Sequence, residues 1–262
     1  MGHSDTTFRN YNKFQAAIYA QSRRSYPDKL YITIISPHAA TGGRFVTLLD
    51  IGCGHGNATR DLAPSFSTVI GVDPSPEMKN TARQIGGRTK PDRMIKYAVG
   101  AAEEFSHLTE AEGGVDLLIA ATAVRPTGFS MPKFWAEAAN IIRPRGTVAL
   151  WTCASLSCHP STQNADEVRT RLIAKGSRYS SRTNSPEIRY LLISTTLPLP
   201  WSVDPAVTVF PASDFVRVES ERDGIPSDGK SFFIGKDTTV DELEQSLGTA
   251  SMVTRWREAN PT

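Results

Sequence analysis

The stretch FVTLLDIGCGHGNATRDLAPSFSTVIGVD, Phe45 to Asp73, decides how the rest of the chain is read. It opens with Val46 to Ile51, a β-branched and leucine-rich run long enough for a buried strand and too short for a helix. Gly52, Gly54 and Gly56 follow at alternate positions, where the absence of a Cβ lets the backbone turn sharply and approach a ligand. Asn57 to Ala63 reads as a helix starting directly behind that loop, with free N–H groups and a positive dipole end facing whatever the loop holds. A second apolar run, Thr68 to Val72, ends in Asp73. That acid lies about 20 residues beyond the first glycine, the distance at which a second-strand carboxylate meets a ribose in a nucleotide-binding βαβ unit. A tight βα turn that binds nothing is the plain alternative.

A nicotinamide fingerprint would place its third glycine where Asn57 stands. Asp50 instead begins a D-x-G-x-G-x-G pattern, which resembles the S-adenosylmethionine (SAM) methyltransferases of the Rossmann-like class I family. The resemblance implies that Asp50 lies near the methionine amino group and that Asp73 takes the ribose hydroxyls. It places Gly52, Cys53, Gly54, Asn57, Thr59, Pro74, Met78 and Ala121 along the cofactor. Ala102 and Glu103, after the third strand, would pack and hydrogen-bond the adenine, although Glu103 also reads as a first-turn acid on a helix dipole. The implied fold is α/β, a mainly parallel twisted sheet with helices on both faces and a cap insertion.

Length and charge set the outer limits. With 262 residues and a net charge of +2, the chain has room for a sizeable core and carries no basic run that points to nucleic acid. Its longest mainly apolar stretch, Val115 to Val124, is far short of the roughly 18 residues of a membrane span. The polar start MGHSDTTFRN is unlike a signal peptide, so a cytoplasmic protein without a membrane partner is expected. Three cysteines fit free thiols, and Cys158-His159 lacks a second pair for zinc, so no metal is expected.

Residues 1–44 read as an N-terminal helical cap of two short helices broken at Tyr26-Pro27, followed by a SAM-binding core at 45–154. YAQSRRSYP, Tyr19 to Pro27, resembles the Y-x-x-x-R-P-x-Y-P segment of trans-aconitate methyltransferases and their fungal relatives, with Arg24 replacing the first proline. Tyr19 and Arg23 are thereby candidates at the substrate, Arg23 either as a two-pronged carboxylate clamp or as a solvated helix arginine. Ser75 and Pro76 should cap and start a helix, Met94 to Val99 form the third strand, Asp116 to Ala123 the fourth, and Thr147 to Thr152 the fifth after a turn at Arg143 to Gly146. Where the relatives carry a His-Trp-Phe-Asp-like segment, this chain has Val124 to Ser130. That exchange removes the family histidine and makes Arg125 a candidate for a replacement polar contact.

Residues 155–235 read as a cap or specificity insertion with helical patches at 165–174 and 186–192 and a strand-like FVRVES at 215–220. Trp151, His159, Tyr179, Tyr190 and Trp201 are candidates for its lining. His159 is the nominee for a general base if the acceptor is a hydroxyl. Residues 236–262 resemble the C-terminal helix of the trans-aconitate group, whose members continue into a last antiparallel strand. Its absence here would leave an open sheet edge, to be covered by the insertion, filled by a second copy in a homodimer, or left short. The function expected is O-methylation of a carboxylate or hydroxyl on a small acid or secondary metabolite. The alternative is a SAM-binding enzyme that cyclises or isomerises a natural product without methyl transfer.

Overall fold

The computed structural model describes residues 10–23, 25–123, 130–152, 163–164, 167, 197–221, 233, 237–249, 253–254, 257 and 260, leaving aside the side chains of 110–112 and 240. Five parallel strands form one sheet in the order β3-β2-β1-β4-β5: β1 Thr47–Ile51, β2 Thr68–Asp73, β3 Lys96–Val99, β4 Val115–Ala121 and β5 Ile142–Trp151. Every residue of β1 is buried, the polar Thr47 and Asp50 among them, as its place in the middle of a parallel sheet requires. Chain direction across the sheet reverses between β1 and β4, so a crevice opens at the carboxyl end of β1, behind which the glycines lie.

Alternate side chains of the strands feed two cores. Leu49, Ile51, Val72 and Leu118 pack with Phe105, Phe134 and Trp135 on one face, the last two from α5 (Met131–Ile141). Leu48, Val69, Leu117 and Ile119 pack on the other with Phe66, Tyr31 from α2 (Asp28–Ala40), and Ala58 and Leu62 from α3 (Asn57–Leu62). The N-terminal helix α1 (Lys13–Ser22) is started by an Asn12/Gln15 capping box and lies on α4 (Pro76–Ile85), where Tyr11, Ala16 and Met78 are buried together. Ser75 caps α4 and Pro76 opens it, as expected.

Two ionic staples hold the layers. At the amino ends of the strands, buried Asp116 accepts the Thr47 N–H at 2.8 Å and pairs with Arg143 at 2.8 Å. On the α5 side, Glu137 Oε2 accepts the Phe105 and Ser106 N–H groups, both at 2.8 Å. Burial pushes the Glu137 carboxyl up, and the combined pull of those N–H groups leaves it below its ordinary value.

Several expectations need correction. β5 starts at Ile142 rather than Thr147, because the Arg143 to Gly146 segment is absorbed as an irregularity between the Val115–Ile142 and Leu117–Thr147 pairs, with Arg145 at φ +65°. β3 starts at Lys96, since Met94 bridges antiparallel to Arg88 instead of joining β2. FVRVES forms no strand, and Val216 and Val218 are exposed. By its contacts the chain divides into one unit of residues 1–152 and 197–215 and another of 153–196 and 216–262. Trp135 Nε1 donates to Pro198 O at 2.9 Å, and Val203 is buried in the α5 cluster. In the second unit, α6 (Val240–Gly248) starts on a Thr239/Glu242 capping box. Both expected helical patches of the insertion fall almost wholly outside the described residues.

Candidate active site

The glycine loop is built from backbone ties that leave one hollow. Gly52 N–H and Cys53 N–H both donate to Val72 O, at 2.8 and 3.0 Å, binding the loop to the tip of β2. Asp73 then receives Gly54 N–H on one oxygen and Ser75 N–H on the other, each at 2.8 Å. The three glycines, all at positive φ, serve two purposes. A Cβ at Gly52 would stand 2.4 Å from Ala123 Cβ, and one at Gly56 would meet the Tyr97 hydroxyl at 2.6 Å, so both permit close packing within the chain. A Cβ at Gly54 would meet nothing within 4 Å, so this glycine borders open space.

Asp50 faces the same place from the end of β1. It is fully buried, and its Oδ2 accepts the Thr59 hydroxyl at 2.6 Å. Its Oδ1 has no hydrogen-bond partner. Burial, opposed by the Thr59 hydrogen bond and reinforced by the charge of Asp73, lifts the Asp50 carboxyl to about 7. Leaving a carboxylate oxygen dry and unpaired is costly, so the site asks for a donor or a cation. Cys53 is a neutral thiol here: burial, then Asp50 and Asp73, push its ionisation up.

Helix α1 closes one side. Asn57 Nδ2 donates to Arg23 O at 3.2 Å, which brings the end of α1 onto the start of α3. The Arg23 guanidinium lies 4.9 Å from the Tyr19 ring centre, and its Nε is buried without a hydrogen-bond partner. His55, between two of the glycines, packs edge-on against Tyr19 at 5.5 Å. Arg60 fixes this corner by donating to His55 O at 2.6 Å and to Asn57 Oδ1 at 2.8 Å. Burial, and after it the Arg60 charge, hold the His55 imidazole down at about 4, so it stays neutral near pH 7.

Thus Asp50, Gly54, Asn57, Thr59 and Asp73 converge with Tyr19 and Arg23, whereas other expected positions have local duties. Glu103 Oε1 accepts Ser130 N–H at 2.9 Å, before the first residue of α5. Met78 is buried beneath α1, Pro74 follows Asp73 at the tip of β2, Ala121 ends β4, and Ala102 packs against the α5 core. Trp201 is partly exposed and meets Phe215 edge-on. Arg125, His159, Tyr179 and Tyr190 lie outside the described residues. His55 and Arg60 were not anticipated: a histidine between glycines and a helix arginine carry no signal until α1 is laid against them.

Residues 49–150 match the family described as methyltransferase domain. Among relatives, the Saccharomyces cerevisiae protein CRG1, named a probable S-adenosylmethionine-dependent methyltransferase, is 33% identical over 146 residues, 56% of this chain and 47% of that protein. A Dictyostelium discoideum protein named as a methyltransferase candidate is 34% identical over 134 residues, 51% of this chain and 45% of that protein. The chain therefore spans about half the length of the curated relatives it matches. A solved structure from Anaeromyxobacter dehalogenans, described as a type II methyltransferase candidate, superposes with a TM-score of 0.57 at 22% identity, covering 92% of this chain and 83% of the other, a likeness of fold. Among the described residues no helix is long and apolar enough to cross a membrane, and no group of three His, Cys, Asp or Glu could hold a metal.

Proposed function

We propose that this chain transfers the methyl group of SAM to an oxygen of a small acidic molecule. The observation that carries the reading is the sealed Asp50 Oδ1 with no hydrogen-bond partner, at the loop where Gly54 leaves room for a ligand. An α-ammonium group would supply the missing donor and the missing positive charge. Asp73 already accepts two backbone N–H groups, and a carboxylate has further lone pairs, so it can still accept from a pair of ribose hydroxyls. The methyltransferase-domain match over the same residues supports the assignment.

When bound, SAM supplies an electrophilic methyl group: an acceptor oxygen pair forms the new O–C bond as the C–S bond breaks, its electrons passing to sulfur. With a carboxylate acceptor the two opposite charges cancel and no proton has to move. The chain's task is then to hold the reactants in line and dry, which supplies on the order of 7 kcal/mol. Arg23, with its buried Nε lacking a hydrogen bond, is suited to orient an anionic acceptor, in keeping with the likeness of Tyr19 to Pro27 to the trans-aconitate group.

The test is incubation of the purified chain with SAM and a panel of carboxylic acids and phenols, followed by mass spectrometry, with S-adenosylhomocysteine (SAH) binding measured by calorimetry. A product heavier by one CH2 supports transfer. A substrate isomerised at constant mass in the presence of bound SAM would replace it with non-methylating chemistry, and failure to bind SAH would remove the reading altogether.

A further inference from the structure

At the carboxyl ends of β4 and β5 a row of side chains has no part in holding the glycine loop. Ala121 pairs with Trp151, and Thr122 N–H donates to Trp151 O at 2.8 Å. The next residue, Ala123, is the one that any Cβ on Gly52 would strike, so this row borders the proposed cofactor loop. We propose that Trp151, Tyr26 and Thr122 form the subsite for a carboxylate oxygen of the methyl acceptor, with the Trp151 indole N–H as its donor. The proposal deepens the reading above and rests on it.

Trp151 Nε1 is sealed from solvent without a hydrogen-bond partner. An indole N–H can only donate, so what this position lacks is an acceptor, and leaving it unmet costs roughly 1–3 kcal/mol. The ring is held in one orientation. Tyr26 meets it edge-on at 5.6 Å and 83°, Tyr31 meets Tyr26 edge-on at 6.3 Å, and Tyr31 is itself anchored by donating to Asp61 Oδ2 at 2.7 Å. An N–H fixed in this way selects by position, since its acceptor must come to it.

Thr122 adds the second sign. It sits at φ +54°, a left-handed conformation that a β-branched residue rarely adopts, at a cost of about 1–3 kcal/mol. Its backbone N–H is bound to Trp151 O, and its hydroxyl shares a hydrogen bond with the Tyr26 hydroxyl at 3.2 Å. Such strain persists where surrounding contacts over-determine it, and here those contacts are Trp151 and Tyr26 themselves. None of the three side chains is a base, so the row suits an acceptor that arrives already ionised. A donor facing a charged oxygen also makes a stronger bond than one facing a neutral phenol.

The test uses the full chain, saturated with SAH and carrying 15N-indole tryptophan. The sequence has four tryptophans, and the Trp151 cross-peak is assigned by its loss in Trp151→Phe, which keeps the ring and removes the N–H. Sodium benzoate and trans-aconitate are titrated in, with phenol as a third arm. The expected result is a saturable downfield shift of the Trp151 indole proton with a carboxylate. Trp151→Phe should weaken that carboxylate's binding about tenfold or more, the range of a lost hydrogen bond to a charged oxygen, while SAH affinity is unchanged. If SAH binds but the Trp151 resonance stays still with both carboxylates, or moves only with phenol, or the Phe variant binds the carboxylate as well as the parent, the subsite assignment is wrong and the methyltransferase reading stands. Should SAH itself fail to bind, the broader reading falls first and takes this one with it.

Discussion

Asp50→Asn should make the free protein more stable in alkali while removing its ligand affinity. The Asp50 carboxyl is raised to about 7 from an ordinary 3.8. An acid raised in the folded state contributes stability that is fully present below its ordinary value and is lost as pH rises through the folded one. The gap of about 3 units corresponds to about 4 kcal/mol lost by pH 8, of which about half is already lost near pH 5.5. An asparagine keeps an oxygen for the Thr59 hydroxyl and carries no charge. Its new NH2 is an unmet donor in place of Oδ1, costing roughly 1–3 kcal/mol at every pH. Relative to the parent, the variant should therefore gain about 2 kcal/mol between about pH 5.5 and about pH 8.5, read by urea denaturation of the ligand-free protein. In the same preparations SAH affinity should fall roughly tenfold or more, the loss of a charge-assisted bond to the ammonium. For the parent, SAH affinity should rise with pH up to about 7 as Asp50 ionises, then level off. A stability difference that ignores pH, or parental SAH affinity in the variant, would refute the reasoning.

Other substitutions separate ligand room from packing. Gly54→Val adds a side chain where nothing in the chain stands within 4 Å, so it should fold at a strain cost of about 1–3 kcal/mol yet lose SAH binding in calorimetry. Gly52→Ala, which forces a Cβ to 2.4 Å from Ala123, should instead lose thermal stability before affinity is considered. Arg143→Met leaves Asp116 buried without its guanidinium and should destabilise by about 3–5 kcal/mol in urea, with SAH affinity per folded molecule unchanged. Glu137→Gln weakens two N–H bonds. Because the Glu137 carboxyl is depressed, its stabilisation is present above the ordinary carboxylate value and fades as pH falls through the depressed one, so parent and variant should converge in acid.

The run from Phe45 to Asp73 announced its own structure, since a buried strand, an obligatory turn and a second strand each leave a local pattern. Loop glycines were legible as a group but not by purpose. Only the positions of Ala123 and Tyr97 tell that Gly52 and Gly56 serve packing while Gly54 borders open space. The start of β5 was misread because Arg143-Pro144-Arg145-Gly146 has turn chemistry that pairing with β4 overrides. Residues 197–215, rich in proline and short of periodicity, gave no hint that they return to α5, because that contact depends on Trp135 reaching the Pro198 carbonyl. Nor could Thr122 betray its left-handed backbone, which only tertiary contacts impose.

The bond from Asn57 to the Arg23 carbonyl couples two parts of the chain that design would prefer to treat as separate modules. Grafting a foreign N-terminal helix onto this chain would disturb Asn57, 34 residues downstream and directly behind the glycine loop, unless the graft brings a carbonyl to the same spot. On the proposed function, selectivity at the entrance and grip on the methyl donor would therefore be inherited together, and variants chosen for a new acceptor should be screened first for what they do to SAH.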